Sequence, residues 1–197
     1  MGHREDLLAA ARRLLEERGY AHITARDLVA ASDTNLASIG YHFGSKAALL
    51  NAALEASFDD WGAQLADFAM SDPDATPLER AGATWVASLA GLPARRPILQ
   101  SYIEALAQAM RVPELRTQLA AHYERAREMV AELVARSVGE GTKPDDPRSR
   151  AVAALVIAAC DGLAVQWMLD PEGAPDPEDL MAGLQAVLLA SFPTQTG

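Results

Sequence analysis

The chain has 197 residues, of which 50% are hydrophobic and 22% are charged, and it contains one cysteine. That length is sufficient for one or two domains with a buried core, and the apolar content excludes an intrinsically disordered chain. The single cysteine, Cys160, excludes an internal disulfide framework and favours a reducing compartment. Because the first residues are charged and lack the apolar run of a secretory signal, we expect a cytoplasmic protein.

The net charge of −10 is distributed unevenly along the chain. Residues 1–46 contain equal numbers of basic and acidic side chains, so the entire excess of negative charge lies in residues 47–197. A neutral segment can bind phosphate groups if its positive charges share one face, whereas the acidic remainder would be repelled by nucleic acid. The charge distribution therefore permits nucleic-acid binding by the N-terminal segment alone.

The apolar spacing predicts an all-α chain of about nine helices, and no segment has the alternation of a strand. Ser45 is expected to begin a long fourth helix, which Ser71-Asp72-Pro73 ends. Prolines are expected near helix boundaries, at Pro93, Pro97 and Pro113. The other helices are predicted at about 4–18, 25–32, 35–42, 77–91, 95–110, 113–138, 147–169 and 177–191.

The second and third predicted helices are short and are joined by a turn. Thr24-Ala25-Arg26-Asp27 has the form of a capping box, in which the threonine hydroxyl binds backbone N–H groups of the first turn. Asp33 lies in the turn and is expected to adopt a left-handed conformation. Two short helices joined in this way are typical of a helix-turn-helix, whose second helix enters the major groove of DNA, although many helical hairpins look alike.

The segment 151–169 contains only Asp161 and Gln166 as polar side chains and is nearly long enough to cross a membrane. We reject a membrane span because alanine dilutes the segment and an ionisable Asp161 near its middle would be costly in lipid. A helix buried on most faces is expected instead, with one face on the core and another on a second subunit. Together with the last helix it would form a four-helix dimer interface through Val152, Leu155, Val156, Leu163, Trp167, Leu184, Val187 and Leu188.

The sequence from Asn35 to Lys46, followed by Ala47-Ala48-Leu49-Leu50, resembles the signature of the tetracycline-repressor (TetR) family of bacterial transcription regulators. The upstream Ile23–Leu28 segment resembles the start of that family's second helix. The resemblance is specific over about residues 5–50 and otherwise covers helix count, length and the Asp161-Gly162-Leu163 to Trp167 stretch. Two departures are Asp33, where the family commonly has glycine, and Gly40, where many members have tyrosine.

The resemblance implies an N-terminal three-helix DNA-binding domain, residues 1–46, and a C-terminal ligand-sensing and dimerisation domain, residues 47–197. It implies a guanine or phosphate contact for Arg26, phosphate contacts for Tyr41 and His42, and a phosphate held by Lys46 at a helix N-terminus. Small residues such as Ala37, Ser38 and Gly40 would allow close approach to bases. The implied DNA-binding residues are Thr24, Arg26, Asn35, Ala37, Ser38, Gly40, Tyr41, His42 and Lys46. By contrast, Leu36, Ile39 and Phe43 are expected in the core.

The resemblance also implies an effector cavity in the C-terminal bundle, where ligand binding would shift the fourth helix and change the spacing of two DNA-binding heads. The candidate lining residues are Trp61, Phe68, Trp85, Tyr102, Met110, His122, Tyr123 and Met129, most of which are more simply explained as core. The expected function is that of a homodimeric repressor that binds a palindromic operator and is released by a small hydrophobic effector. The alternative is a helical dimer that binds a ligand or a protein partner without binding DNA.

A catalytic site is not indicated by the sequence. The four histidines have no metal-ligand spacing with one another or with Cys160, and no glycine-rich phosphate loop follows a strand. We therefore expect no enzymatic activity, no cofactor and no bound metal.

Overall fold

A computed structural model describes residues 2–72, 74–138 and 143–191. Within these ranges, the side chains of Pro77, Leu78, Ser137, Val138, Gln185 and residues 187–191 are not described. The described residues form nine α-helices and one short 3-10 helix, Tyr20–His22, and they contain no strand. The helices are α1 His3–Arg18, α2 Ala25–Ser32, α3 Leu36–Phe43, α4 Lys46–Ala69, α5 Pro77–Ala90, α6 Leu92–Ala109, α7 Pro113–Val138, α8 Pro147–Leu169 and α9 Pro177–Ser191. The predicted all-α class is confirmed.

The chain divides into two compact units, one formed by residues 1–64 and 94–129 and the other by residues 65–93 and 130–197. In the core of the first unit, residues of the apolar face of α1, including Leu7 and Leu15, pack with Leu28 of α2 and Ile39 of α3. Leu36 is 55% exposed, which corrects its expected place in the core. It is the first residue of α3, one turn before Ile39, and Ile39 is the apolar residue of that helix which reaches the core.

Within the first unit, two side chains of α6 bind the backbone of α1 and of the 3-10 helix. The Ser101 hydroxyl, which is fully buried, donates to the carbonyl of Leu15 at 3.1 Å. Glu104 accepts a hydrogen bond from the N–H of Ala21 at 2.8 Å. The first bond is made to a carbonyl in the last turn of α1, and the second to a backbone N–H of the 3-10 helix that follows it.

One further feature of the helices differs from the sequence-based expectation. Helix α6 begins at Leu92, so Pro97 lies inside the helix and not at its start. Pro93 is tolerated because the first N–H groups of a helix need no intrahelical acceptor, whereas Pro97 forfeits one hydrogen bond.

Helix α8 is covered on one side only within the chain, and its expected contact with a second subunit stays a prediction. Only 11% of its most apolar window is buried, and by length and composition alone it could cross a membrane. Small residues, Ser149, Ala153 and Ala164, face the rest of the unit. Of its large apolar residues, Leu155 is 70% and Leu169 is 82% exposed, whereas Leu163 and Trp167 are half-buried.

Candidate DNA-binding site

Helix α2 begins with a reciprocal capping box. The Thr24 N–H and hydroxyl donate to Asp27 Oδ2 at 2.8 and 2.5 Å, and the Asp27 N–H donates to the Thr24 hydroxyl at 3.2 Å. The hydrogen bonds from Thr24, with smaller contributions from Arg18, hold the pKa of Asp27 below its usual value of 3.8. The capping box therefore defines where α2 starts and keeps Asp27 ionised. Both the cap and its residues agree with the sequence-based prediction.

The turn between α2 and α3 is made by Asp33 and Asn35. Asp33 has φ 51° and ψ 41°, the left-handed conformation predicted for it, and its N–H caps α2 at Val29. Asn35 then caps α3 by accepting the Ser38 N–H at 3.1 Å. These two residues determine the direction in which the short helix α3 leaves the turn.

Helix α3 exposes one face of small and aromatic residues. Tyr41 is 86% exposed, Ala37 and Gly40 are exposed, and His42 is half-buried, with its ring 4.8 Å from that of Tyr41. Ser38 lies elsewhere: it is buried, and its hydroxyl donates to Asn35 at 3.3 Å. Ser38 therefore belongs to the helix cap and not to the exposed face expected from the sequence, because its position in the first turn brings it back onto Asn35.

Two cations lie in the helices that precede and follow α3 in the chain, each in the first turn of its helix. Arg26 is exposed in the first turn of α2. Lys46 is the first residue of α4, where Ser45 accepts the Ala48 N–H at 3.0 Å, and its ammonium donates to the carbonyl of Ile23 at 2.7 Å. That bond fixes the lysine beside the start of α2 and leaves two of its three donors for other acceptors. Helix N-termini and a nearby ammonium together favour an anion such as a phosphate.

The predicted effector residues are distributed over both units. In the first unit, the ring of Phe58 contacts those of Tyr102 and His122, and both of these contact Tyr123, so the four rings form one aromatic cluster. Trp61 contacts Phe58 and lines, with it, a groove of about 370 Å³, where Arg95 lies 4.8 Å over the Trp61 ring. The remaining members are Met129, which lies close to Gly62, and Phe68, Trp85 and Met110, of which Phe68 and Met110 are largely exposed.

A second groove, of about 430 Å³, lies within the second unit. Its apolar lining includes Leu89 together with Leu163 and Trp167, two residues that the sequence assigned to a dimer interface. Asp176 and Glu178 also line it, and none of the described residues of the lining is basic. The groove was not predicted, because its residues come from α5, the start of α6, α8, the loop after α8 and the start of α9, and have no common spacing in the sequence.

Half of the predicted interface residues whose side chains are described are exposed on α8 and α9. Val152, Leu155 and Leu184 are exposed, whereas Val156, Leu163 and Trp167 are half-buried. The side chains of Val187 and Leu188 lie outside the described residues. No group of His, Cys, Asp or Glu in the described part of the chain could hold a metal ion.

Two family models match the chain. Residues 7–53 match "Bacterial regulatory proteins, tetR family", and residues 77–193, more than half of the chain, match "BetI-type transcriptional repressor, C-terminal". The chain belongs to the TetR family. A search of the curated proteins gives no match.

Solved structures with the same fold as this TetR-family protein cover nearly all of it. The multidrug binding protein EbrR, solved in complex with proflavin, is 25% identical with a TM-score of 0.66, over 94% of this chain and 99% of that one. The fatty acid degradation regulator FadR from Bacillus halodurans is 14% identical with a TM-score of 0.67, over 98% and 97%. A transcriptional regulator from Rhodococcus sp. RHA1 is 21% identical with a TM-score of 0.66, over 95% and 96%. The TetR-family protein is a ligand-responsive transcriptional regulator.

Proposed function

We propose that this chain is a cytoplasmic, homodimeric repressor that binds a palindromic DNA operator and releases it when a small, largely apolar effector binds. The DNA-binding domain would comprise residues 1–46, and residues 47–197 would sense the ligand and form the dimer. The exposed face of α3, with Arg26 and Lys46 in the first turns of the preceding and following helices, is the observation that carries the proposal. TetR-family regulators are generally non-enzymatic, and we propose no enzymatic activity for this one.

The exposed face of α3 would lie in the major groove. Tyr41, His42 and Lys46 offer donors to phosphate oxygens on its flanks, and phosphate contacts set the register of a protein on DNA without selecting sequence. Ala37 and Gly40 are short enough for the helix backbone to approach base edges closely. With few long side chains on this face, specificity would depend on a small number of direct contacts and on DNA shape.

Dimerisation would bury the exposed apolar face of α8. Leu155, Leu169 and Val152 expose large apolar surfaces on one helix, and a single chain rarely leaves such a stripe in water unless a partner covers it. A two-fold dimer would present two copies of α3, which bind successive major grooves when they lie one helical turn of DNA apart, about 34 Å.

The effector would bind in the groove lined by Leu89, Leu163 and Trp167. The apolar walls and aromatic ring suit a flat apolar molecule, and the carboxylates of Asp176 and Glu178, without a basic residue in the described part of the lining, favour a neutral or cationic ligand over an anion. EbrR, the 25% identical neighbour, was solved with proflavin, which therefore serves as a first probe.

DNA binding can be tested by fluorescence anisotropy with the DNA that flanks the gene of this protein, at increasing salt concentration. We expect affinity to fall steeply with salt, and the Arg26→Ala and Lys46→Ala variants to bind more weakly with a slope reduced by about one each. Arg136→Ala is the matched control, because this arginine lies in the second unit and pairs with Glu132. Equal binding by all four proteins, or no binding by the wild type, would contradict the proposal.

Effector binding can be tested by titrating the protein with proflavin. We expect proflavin to bind and to lower the affinity for DNA, and Trp167→Phe to weaken proflavin binding while Trp61→Phe does not. Weakening by Trp61→Phe alone would assign the ligand to the groove in the first unit instead. Binding of proflavin without any change in DNA affinity would contradict the role of this groove in regulation.

A further inference from the structure

We propose that Arg4 is an additional phosphate contact of the DNA-binding surface and that the ring of Phe43 positions its guanidinium. The inference rests on the proposed DNA-binding function, to which it adds a residue at the C-terminal end of α3. The sequence-based prediction did not include Arg4, because its position in the first turn of α1 gives no indication that it lies near the recognition helix.

The contact joins the beginning of α1 to the end of α3. The Cζ atom of Arg4 lies 5.3 Å from the centroid of the Phe43 ring, within the range of a cation–π interaction. Phe43 is half-buried and packs against the core of the first unit, so its ring is a fixed platform. A cation–π contact uses the charge of the guanidinium and not its N–H donors, which stay available to other acceptors.

Arg4 lies at one end of a continuous row of rings. The Phe43 centroid is 6.5 Å from that of His42, which is 4.8 Å from that of Tyr41. Tyr41 and His42 are the residues proposed above to contact phosphates. An arginine stacked on the next ring of the same row therefore extends the phosphate-binding face beyond the end of α3.

The charges of residues 1–46 support the same assignment. The segment is neutral, so only cations that are not already neutralised by a carboxylate can attract DNA. Three of its six basic side chains form ion pairs, Arg12 with Asp60 at 2.6 Å, Arg13 with Glu17 at 3.9 Å and Arg18 with Asp27 at 3.0 Å. Within the described residues, Arg4, Arg26 and Lys46 have no such carboxylate partner. Two of these three are already proposed DNA contacts, and Arg4 is the third.

The acidic neighbours of Arg4 do not neutralise it. Glu5 is directed back to the start of α1, where it accepts the Gly2 N–H at 3.4 Å. Acidic residues in a first turn are stabilised there by the helix dipole. The guanidinium of Arg4 instead lies over Phe43.

The test compares DNA binding by Arg4→Ala and Arg13→Ala, which remove the same side chain from the same helix. We expect Arg4→Ala to lower the affinity about tenfold at low salt and to reduce the salt slope by about one, because one phosphate contact is lost. Arg13 is ion-paired, so Arg13→Ala should leave the slope unchanged. Thermal unfolding of both variants verifies that each remains folded.

Two more variants separate the charge from its positioning. Arg4→Lys keeps the charge and loses the planar stack, and Phe43→Leu keeps an apolar side chain and loses the ring; both should weaken binding by less than Arg4→Ala. In the double variant Arg4→Ala with Phe43→Leu, the two effects should not add, because they act through one contact.

If the DNA affinities of the Arg4→Ala and Arg13→Ala variants depend on salt concentration with the same slope, the inference is overturned. If Arg26→Ala still weakens binding in that experiment, the proposed DNA-binding function stands and only the role of Arg4 is wrong. A wild-type protein that does not bind DNA would instead contradict the proposed function itself.

Discussion

Thr24 and Asp27 bind each other reciprocally at the start of α2, and the two residues do so with three hydrogen bonds. The same arrangement occurs in the second unit, where Thr76 and Glu79 begin α5 with bonds of 2.8, 2.7 and 3.3 Å. One cap belongs to the DNA-binding segment and the other does not. Comparing substitutions in the two caps therefore separates the effect of a cap on stability from its effect on DNA binding.

We expect Thr24→Ala and Thr76→Ala each to lower the free energy of unfolding by about 1 kcal/mol, the usual cost of losing a threonine cap. Only Thr24→Ala should also weaken DNA binding, because α2 orients the turn that presents α3. Urea unfolding followed by circular dichroism measures the first effect, and anisotropy with operator DNA measures the second. Equal DNA binding by both variants would show that the start of α2 does not affect recognition.

The acid dependence of stability should include a contribution from Asp27. The pKa of Asp27 is lowered from 3.8 in the folded chain, first by the hydrogen bond from the Thr24 side chain. The ionised Asp27 therefore stabilises the folded chain fully at pH values well above 3.8, and this stabilisation is lost as the pH falls through the lower pKa of the folded state. The difference in unfolding free energy between the wild type and Asp27→Asn should be constant above about pH 5 and shrink below pH 3.8. Urea titrations between pH 3 and pH 7 measure it. A difference that does not change over this range would contradict the prediction.

Two substitutions of Asp33, the left-handed residue of the turn, should differ in their effect on stability. Asp33→Asn should leave stability nearly unchanged, because asparagine also tolerates this conformation, whereas Asp33→Ala should cost about 1 kcal/mol. Asp33→Asn also removes a negative charge two residues before the N-cap of α3, so DNA affinity should rise and the salt dependence should steepen. Unchanged affinity would place Asp33 outside the range of the DNA phosphates.

The proposed dimer face can be tested with two residues of similar exposure. Leu155 on α8 is 70% exposed and Met110 after α6 is 66% exposed. Leu155→Arg should shift the protein to monomer and weaken operator binding, whereas Met110→Arg should remain dimeric, since it introduces the same charge away from the proposed interface. Size-exclusion chromatography with light scattering measures the mass. A wild-type monomer at micromolar concentration, or a dimeric Leu155→Arg variant, would contradict the proposal.

Local sequence patterns are sufficient to predict the helices and the turn between α2 and α3. The apolar periodicity, the Thr24 cap and the turn residue Asp33 act between residues three or four apart, so their outcome does not depend on distant parts of the chain. The first and last residues of α2, α7, α8 and α9 therefore match the prediction. Pro97 is the exception, because a helix can continue through a proline when the rest of its turn is satisfied.

The packing of the helices sets which side chains are covered and which distant residues come into contact. Leu36 and much of α8 are as apolar as residues of the core, yet they are exposed in the chain, because periodicity shows that a helix has an apolar face but not whether another element packs on it. The Lys46 bond to Ile23, the Ser101 bond to Leu15 and the stacking of Arg4 on Phe43 join residues 23, 86 and 39 positions apart. Such contacts depend on how helices are packed, and no local spacing encodes them.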